Sequence, residues 1–323
     1  MSPLGAIASV IAGLALVLYF AGKLVAGAVG TARGLGVSAF VVSVIFIGFD
    51  PENLGVGAVA AHEGVAGIAL GSIIGAAMVA IALALGITAL LAPLRFEQAS
   101  ARVLSLPILA VLLFGGLSLD GELSRPDGAV LLLAYGAAVA WILHLSAKRM
   151  GVEPAGDEEM EQAGALGKWK AFGLLLLALV GIVLGSEMIV AGSATIIEHV
   201  GISDTVYGMT ILALLVSIEE VARELPAALR GRPEISLGNV IGSVLAFFLL
   251  NAGIIALVEP FPVEQPVLAF HLPWALVTTT VVSGIAVRRT IPRWAGLVLV
   301  LLYFGFIAGS YVVRRGPGAL PGN

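Results

Sequence analysis

The chain has 323 residues, of which 59% are hydrophobic and 12% charged, and its mean hydropathy is +1.06. A water-soluble domain of this length would carry more charge on its surface, so the composition excludes that class and indicates a membrane protein. The net charge of −4 gives no sign of nucleic-acid binding, and the absence of cysteine excludes disulfides and thiolate metal sites.

In chain order, about ten apolar segments follow one another, each near the ~20 residues that a helix needs to cross a bilayer. They are 3–28, 35–61, 65–93, 100–118, 128–147, 171–198, 203–229, 235–258, 266–287 and 291–313. We therefore predict an all-α polytopic membrane protein. The acid-rich stretch 151–170 has the composition of a solvated linker, and it divides the chain into two five-helix halves, 1–150 and 171–323.

A short sequence occurs in the third segment and again in the eighth. Residues 67–78 read GIALGSIIGAAM and residues 234–245 read EISLGNVIGSVL, with five identities at an offset of 167 residues. Each copy follows an apolar segment that contains acidic residues, namely Asp50, Glu52, Glu219, Glu220 and Glu224. Because a carboxylate is costly in hydrocarbon, this duplicated pair of acidic helices indicates ion transport.

The lysines and arginines predict the orientation. An outside N-terminus places most of them in inner loops and leaves only Arg125, Arg314 and Arg315 outside. The sequence therefore predicts a plasma-membrane protein with both termini outside and the linker in the cytoplasm. An odd number of helices per half makes the two repeats inverted, an arrangement that places a binding site at the midplane.

Both halves also carry longer motifs. The stretches 20–48 and 185–221 lead up to the acidic residues, and the tails ALGSIIGA (69–76) and SLGNVIGS (236–243) resemble a GNxxGS half-signature. On these motifs nearly the whole chain resembles the cation/calcium exchanger superfamily, which includes sodium/calcium and proton/calcium antiporters. The resemblance implies two inverted five-helix repeats and a midplane cation site.

The family's other half-signature is G-T-S-x-P-E, whose glutamate is the central cation ligand. An ungapped alignment places Glu220 on that glutamate in the second repeat and Asn53 on it in the first. A gap of one residue would instead place Glu52 there. Without the gap Glu52 and Glu219 are equivalent, and with it Glu52 and Glu220 are the pair; the sequence leaves both alignments open.

The resemblance and the spacing together give a set of candidate cation ligands. They are Glu52, Glu220, Glu219, Asp50, Asn53, Ser217, Asn239, Ser243 and Ser72. In the first repeat Ser72 replaces the family's asparagine and Ala76 its serine. Calcium takes about six to eight oxygens. Either calcium is held with more backbone and water ligands, or the substrate is a less demanding cation such as sodium or a proton.

Two further charged residues follow on the seventh segment. Arg223 lies four residues after Glu219 and three after Glu220, so it can pair with either carboxylate on a helix. It is either a structural partner of these acids or a competitor of the transported cation. Glu224 lies one turn nearer the cytoplasm and fits an entrance residue and a ligand equally well.

These features predict a secondary antiporter that exchanges calcium for sodium or protons by alternating access, with spans 1 and 6 as gates. Inorganic cations and the bilayer are the expected partners, and no cofactor or nucleic acid is expected. A sodium/proton antiporter that does not carry calcium is the alternative within transport. A non-transporting receptor or scaffold would leave the buried acids unexplained, and an intramembrane hydrolase would need a Ser/His or paired-Asp constellation that does not stand out.

Overall fold

The computed structural model describes residues 1–34, 49–96, 100–146, 167–231 and 233–313. Its helices are α1 (Pro3–Gly34), α2 (Pro51–His62), α3 (Ala66–Leu91), α4 (Ala101–Leu117), α5 (Arg125–Ser146), α6 (Lys168–Val200), α7 (Asp204–Val216), α8 (Glu219–Leu229), α9 (Pro233–Val258), α10 (Val267–Ala286) and α11 (Arg293–Val313).

The described residues confirm an all-helical membrane protein. Seven of these helices are long and apolar enough to cross a bilayer, or eight if α7 and α8, which meet at a bend of 47°, form one broken span. At 17 residues α4 is shorter. The first part of the predicted second segment, 35–48, lies outside the described residues. So does the predicted linker except for 167–170, where α6 already begins at Lys168.

Two short β-ladders join the halves of the chain. Strand β1 (Leu94–Arg95) pairs with β4 (Thr290–Ile291), and β2 (Glu122–Leu123) pairs with β3 (Phe261–Pro262), both antiparallel. Each ladder takes one strand from each half, and β1 and β3 are separated by the same 167 residues as the repeated sequence. The halves therefore contact each other in the reciprocal way expected of two repeats related by a pseudo-two-fold axis.

The first helices of the two halves, α1 and α6, pack along each other in opposite directions. Gly13 lies against the backbone of Gly185, and Gly27, further along α1, lies against Leu175, which comes earlier on α6. Glycines allow the two backbones to approach closely, as at other small-residue interfaces in membranes. The antiparallel pairing of equivalent helices is what inverted repeats require.

Helices α3 and α7 hold the core together at the repeated glycines. Gly71 lies against the backbone of Gly208, and Gly75 lies against Met209 and Ala213. At the start of α3, the amide of Gly67 donates to Asp204 Oδ2 over 3.0 Å, which ties the two helices at one end. The repeated glycines of the first copy therefore allow α3 and α7 to approach closely, whereas a Cβ at Gly238 in the second copy would meet no described atom within 4 Å.

The core helices α3 and α9 are not regular α-helices throughout. Both contain π-helical turns, at Gly71–Gly75 and Val79–Ala84 in α3 and at Ala246–Asn251 in α9. The facing helix α7 also has one, at Gly208–Leu212. π turns are rare and are frequently found at functional sites. Turns in α3 and α9 lie beside the acidic helices α2 and α8, and a further π turn begins α10 at Val267–His271.

Candidate cation site between α2 and α8

The start of α2 positions the acids of the first repeat. Asp50 is the N-cap, in an extended conformation, and its Oδ1 accepts the amide hydrogen of Asn53 at 2.8 Å. Pro51 follows at the first helical position, where its missing N–H costs nothing. This N-terminal sequence buries Asp50 and places Glu52 in the first helical turn.

The break between α7 and α8 positions the acids of the second repeat. The helix stops at Val216 and restarts at Glu219, with Ser217 and Ile218 between them. Glu219 and Glu220 therefore lie in the first turn of α8, where the partial positive charge of the helix N-terminus favours carboxylates. The two repeats thus present equivalent features to each other, each a helix start with acidic residues.

Three carboxylates meet where these helix starts face each other. One oxygen each of Asp50, Glu52 and Glu219 lies within 4.8 Å of the others. Glu52 is 2% exposed, and its Oε2 has no hydrogen-bond partner among the described residues. The same is true of the buried Asn53 Oδ1. Because buried carboxylates repel one another unless a positive charge joins them, the group is suited to hold a cation or a proton.

The side-chain amide of Asn53 links the two repeats. Its Nδ2 donates to Asp50 Oδ2 at 2.8 Å and to Ser217 Oγ at 2.9 Å. The ungapped alignment makes Asp50 and Ser217 equivalent, and it also makes Glu52 and Glu219 equivalent. Glu52 and Glu219, which this alignment pairs, belong to the same carboxylate group, whereas Glu220 turns towards α9.

The remaining predicted ligands are hydrogen-bonded outside this group. Glu220 is fully buried, and it accepts hydrogen bonds from Asn239 Nδ2 at 2.7 Å and from Ser243 Oγ at 3.2 Å. Both donors are on α9, the helix that contains the second copy of the repeated sequence. Glu220 therefore connects α8 to α9. Ser72, in contrast, gives its hydroxyl hydrogen to the carbonyl of Ala69, 2.8 Å away on its own helix. Glu220, Asn239 and Ser243 therefore form one connected set, and Ser72 is bonded locally.

Glu224 is the most isolated buried acid near the site. Its side chain is fully buried, and neither carboxyl oxygen has a hydrogen-bond partner among the described residues. Asn239 lies beside it, and Ser236 Oγ donates to its backbone carbonyl at 2.8 Å. The four-residue spacing from Glu220 already places both acids on one face of α8. Its burial agrees better with the ligand alternative than with an exposed entrance residue.

Asn251 is a polar contact of the site that the sequence reasoning missed. Its Nδ2 donates to the backbone carbonyl of Asp50 at 3.4 Å, and its Oδ1 is buried without a hydrogen-bond partner among the described residues. Asn251 lies in the π turn of α9, and the residue at the equivalent position of the first repeat is Ala84. Duplication was the signal used to find the site, and a polar residue in only one repeat does not produce it.

Arg223 supplies a positive charge beside the carboxylates. Its Nη2 lies 2.6 Å from Glu219 Oε1, and its Nη1 lies 3.7 Å from Glu220 Oε1. Both predicted pairings on the helix are therefore present. Because Glu219 also belongs to the three-carboxylate group, the guanidinium and any cation held by that group share one carboxylate.

The family model for "Sodium/calcium exchanger protein" matches residues 5–144 and 170–312. The chain is 28% identical over 305 residues to the putative antiporter CaxA of Alkalimonas amylolytica, covering 92% of this chain and 96% of that one. It is 29% identical over 313 residues to inner membrane protein YrbG of Escherichia coli strain K12, covering 94% of each.

A solved structure of the sodium-calcium exchanger NCX_Mj, soaked with sodium and strontium, shares the fold. The TM-score is 0.61 at 27% identity, over 95% of this chain and 98% of that one. The family consists of transporters of inorganic cations and not of enzymes, in agreement with the sequence-based expectation. Because the family model covers both halves and the fold agrees along nearly the whole chain, this protein is a member of the sodium/calcium exchanger family of cation antiporters.

Proposed function

We propose that the protein exchanges calcium for sodium or protons, and that Asp50, Glu52 and Glu219 hold the cation. The observation that carries this proposal is the meeting of three carboxylates from both repeats around the unpartnered Oε2 of buried Glu52. An antiporter needs a site where cation and proton, or two cations, exclude each other. Adjacent carboxylates provide one, because each can be neutralised by either kind of ion.

The oxygens near the three carboxylates are those that calcium prefers. Asn53 Oδ1 is buried and free to accept, and Ser217 Oγ lies 2.9 Å from the Asn53 amide nitrogen. With the carboxylates they make a set of hard oxygen donors, to which backbone carbonyls at the helix break and water would be added to reach calcium's about six to eight ligands. Glu220, held by Asn239 and Ser243, adds negative charge next to this group without belonging to it.

Alternating access would use α1 and α6 as the moving part. They pack on each other along glycines, and α6 contacts the site helix α2 where Gly55 lies against Ile182 and Ser186. The opposite face of α6 is apolar and exposed, with Leu177 and Val180 each more than half accessible. Sliding of this pair would break the hydrogen bond that Ser193 Oγ on α6 donates to the Tyr207 hydroxyl over 3.2 Å, whereas most of its outer surface faces lipid and makes no polar contact that has to be broken.

The second candidate is a sodium/proton antiporter that does not carry calcium. The ion pair between Arg223 and Glu219 favours it, because the arginine neutralises part of the charge that would attract a divalent cation. Such neutralisation weakens the binding of calcium more than that of sodium, since the Coulomb attraction of calcium to each carboxylate is twice as large.

Flux measurements separate these candidates. We expect purified full-length protein in liposomes to take up radioactive calcium when an outward sodium gradient or an outward proton gradient is imposed. Sodium movement against protons with no calcium uptake under either gradient would establish the second candidate. If neither gradient moves calcium or sodium while the protein remains monodisperse, the protein does not exchange these ions. That result is the one expected of a receptor or scaffold.

We also propose that both termini face outside and that 151–170 connects the halves 1–150 and 171–323 in the cytoplasm. The two ladders support this topology. It places the paired strands β1 and β4 on the inner side of the membrane and the paired strands β2 and β3 on the outer side. The Escherichia coli relative, named an inner membrane protein, supports the plasma membrane as the location.

Cysteine labelling tests this orientation, because the natural chain has no cysteine. We expect Glu63→Cys and Asp120→Cys to react with an impermeant maleimide on intact spheroplasts. Arg288→Cys should react only after the membrane is permeabilised. The reverse pattern would place both termini inside.

A further inference from the structure

The acidic site contains a positive charge of its own. The guanidinium of Arg223 contacts Glu219 at 2.6 Å and reaches towards Glu220 at 3.7 Å. Glu219 is at the same time one of the three carboxylates grouped within 4.8 Å. Arg223 therefore lies where a cation bound between Glu219 and Glu220 would lie, beside the position that Asp50 and Glu52 would share with Glu219.

An arginine at this point differs from a bound ion in two ways. It does not lose its charge under any condition in which the protein is folded. It is also attached to the same helix as its two carboxylates, three and four residues away, so its local concentration is high at every stage of a transport cycle. The side chain is partly accessible, at 36%, whereas Glu220 is fully buried. Arg223 is thus the more accessible member of this ion pair.

The carboxylates are not all used by the arginine. Glu52 Oε2 and Asn53 Oδ1 stay buried without partners on the first-repeat side of the site. The site is therefore divided between a position neutralised by Arg223, at Glu219 and Glu220, and an open position lined by Asp50, Glu52 and the other side of Glu219. Transported cations have only the open position.

We propose that Arg223 is a resident cation of the exchange site, which permanently occupies one cation position between Glu219 and Glu220. It thereby lowers by one the number of sodium ions that the protein binds and couples. This inference rests on the proposed function, since it concerns the number of ions in the same site. A merely structural ion pair predicts something different: removal of the arginine would then weaken the fold without creating a position for an ion.

The test is a count of bound ions. Full-length wild type, Arg223→Gln and Arg223→Lys are purified, and radioactive sodium bound per chain at saturation is measured by equilibrium dialysis. Arg223→Gln is expected to bind one sodium ion more than wild type, and Arg223→Lys the wild-type number. Arg230→Gln is the matched control, because it removes the same charge at the exposed end of the same helix. It should leave the count unchanged.

An unchanged sodium count in monodisperse Arg223→Gln protein would overturn the inference. If this variant does not fold, Arg223→Ala purified with methylguanidinium restores the missing charge in diffusible form. Sodium should then displace labelled methylguanidinium competitively, and the absence of such competition would also overturn the inference. Wild-type protein that binds and moves neither calcium nor sodium would instead contradict the proposed function, so the two failures are distinguishable.

Discussion

Replacement of Glu52 by glutamine is expected to abolish coupled calcium flux and to lower calcium affinity about a thousandfold. The substitution keeps the size of the side chain but removes the charge from the oxygen that has no partner in the structure. One unit of charge at about 4 Å from a cation is worth about 4 kcal/mol at an effective dielectric constant of about 20, and twice that for a divalent ion before desolvation is subtracted. A net loss of about 4 kcal/mol corresponds to about three orders of magnitude in affinity.

Initial calcium uptake into liposomes and calorimetric calcium binding measure this effect. Glu63→Gln is the matched control, because Glu63 lies exposed just after the same helix and should tolerate the change. Wild-type uptake by well-folded Glu52→Gln protein would show that the cation binds elsewhere, with the Glu220 and Glu224 region as the next place to search.

Gly71→Ala is expected to destabilise the protein by about 3 kcal/mol and to reduce transport in whatever protein survives. A Cβ at this position would overlap the backbone of Gly208, and backbone in a packed helix cannot rotate away as a flexible side chain can. Overpacking of a rigid core costs about 1–3 kcal/mol, and a contact between two backbones belongs at the upper end. Displacement of α7 would also move Ser217 and Glu219 away from Asp50, which explains the expected loss of transport.

Thermal unfolding in detergent and the yield of monodisperse protein provide the measurements. Gly136→Ala is the comparison, because Gly136 is also helical but a Cβ there meets no described atom within 4 Å. Its effect should stay within about 1 kcal/mol, the intrinsic difference between glycine and alanine in a helix. Equal melting temperatures for the two variants would mean that α3 and α7 do not approach as closely as the structure describes.

The duplication is the sequence feature that directed attention to these acidic residues. Offsets of 167 residues made Glu52 and Glu219 equivalent under one alignment, and these residues meet with Asp50 in the structure. The sequence could not choose between this alignment and the gapped one. Each residue turns a helix by about 100°, so a shift of one position points a carboxylate to a different neighbour. Only the docking of α8 against α2 and α9 separates the environment of Glu219 from that of Glu220.

Other features of the site do not appear as a repeat in the sequence. The contact of Asn251 with the Asp50 carbonyl occurs in only one repeat, where a π turn in α9 determines which way its side chain points. The isolation of Glu224 likewise depends on what packs around α8, since the spacing alone leaves a ligand and an entrance residue equally possible.

By itself the sequence determined that this is an all-helical membrane protein of two repeats with acidic residues in hydrocarbon, because the bilayer dictates helix length and apolar composition and duplication leaves a constant offset. The tertiary structure decided which acids lie together, which are held by amides, and that Arg223 lies among them. The physical reason is that hydropathy depends on a residue's type and position along the chain. A cation site depends instead on distances of a few ångströms between side chains of different helices, and only their packing determines those distances.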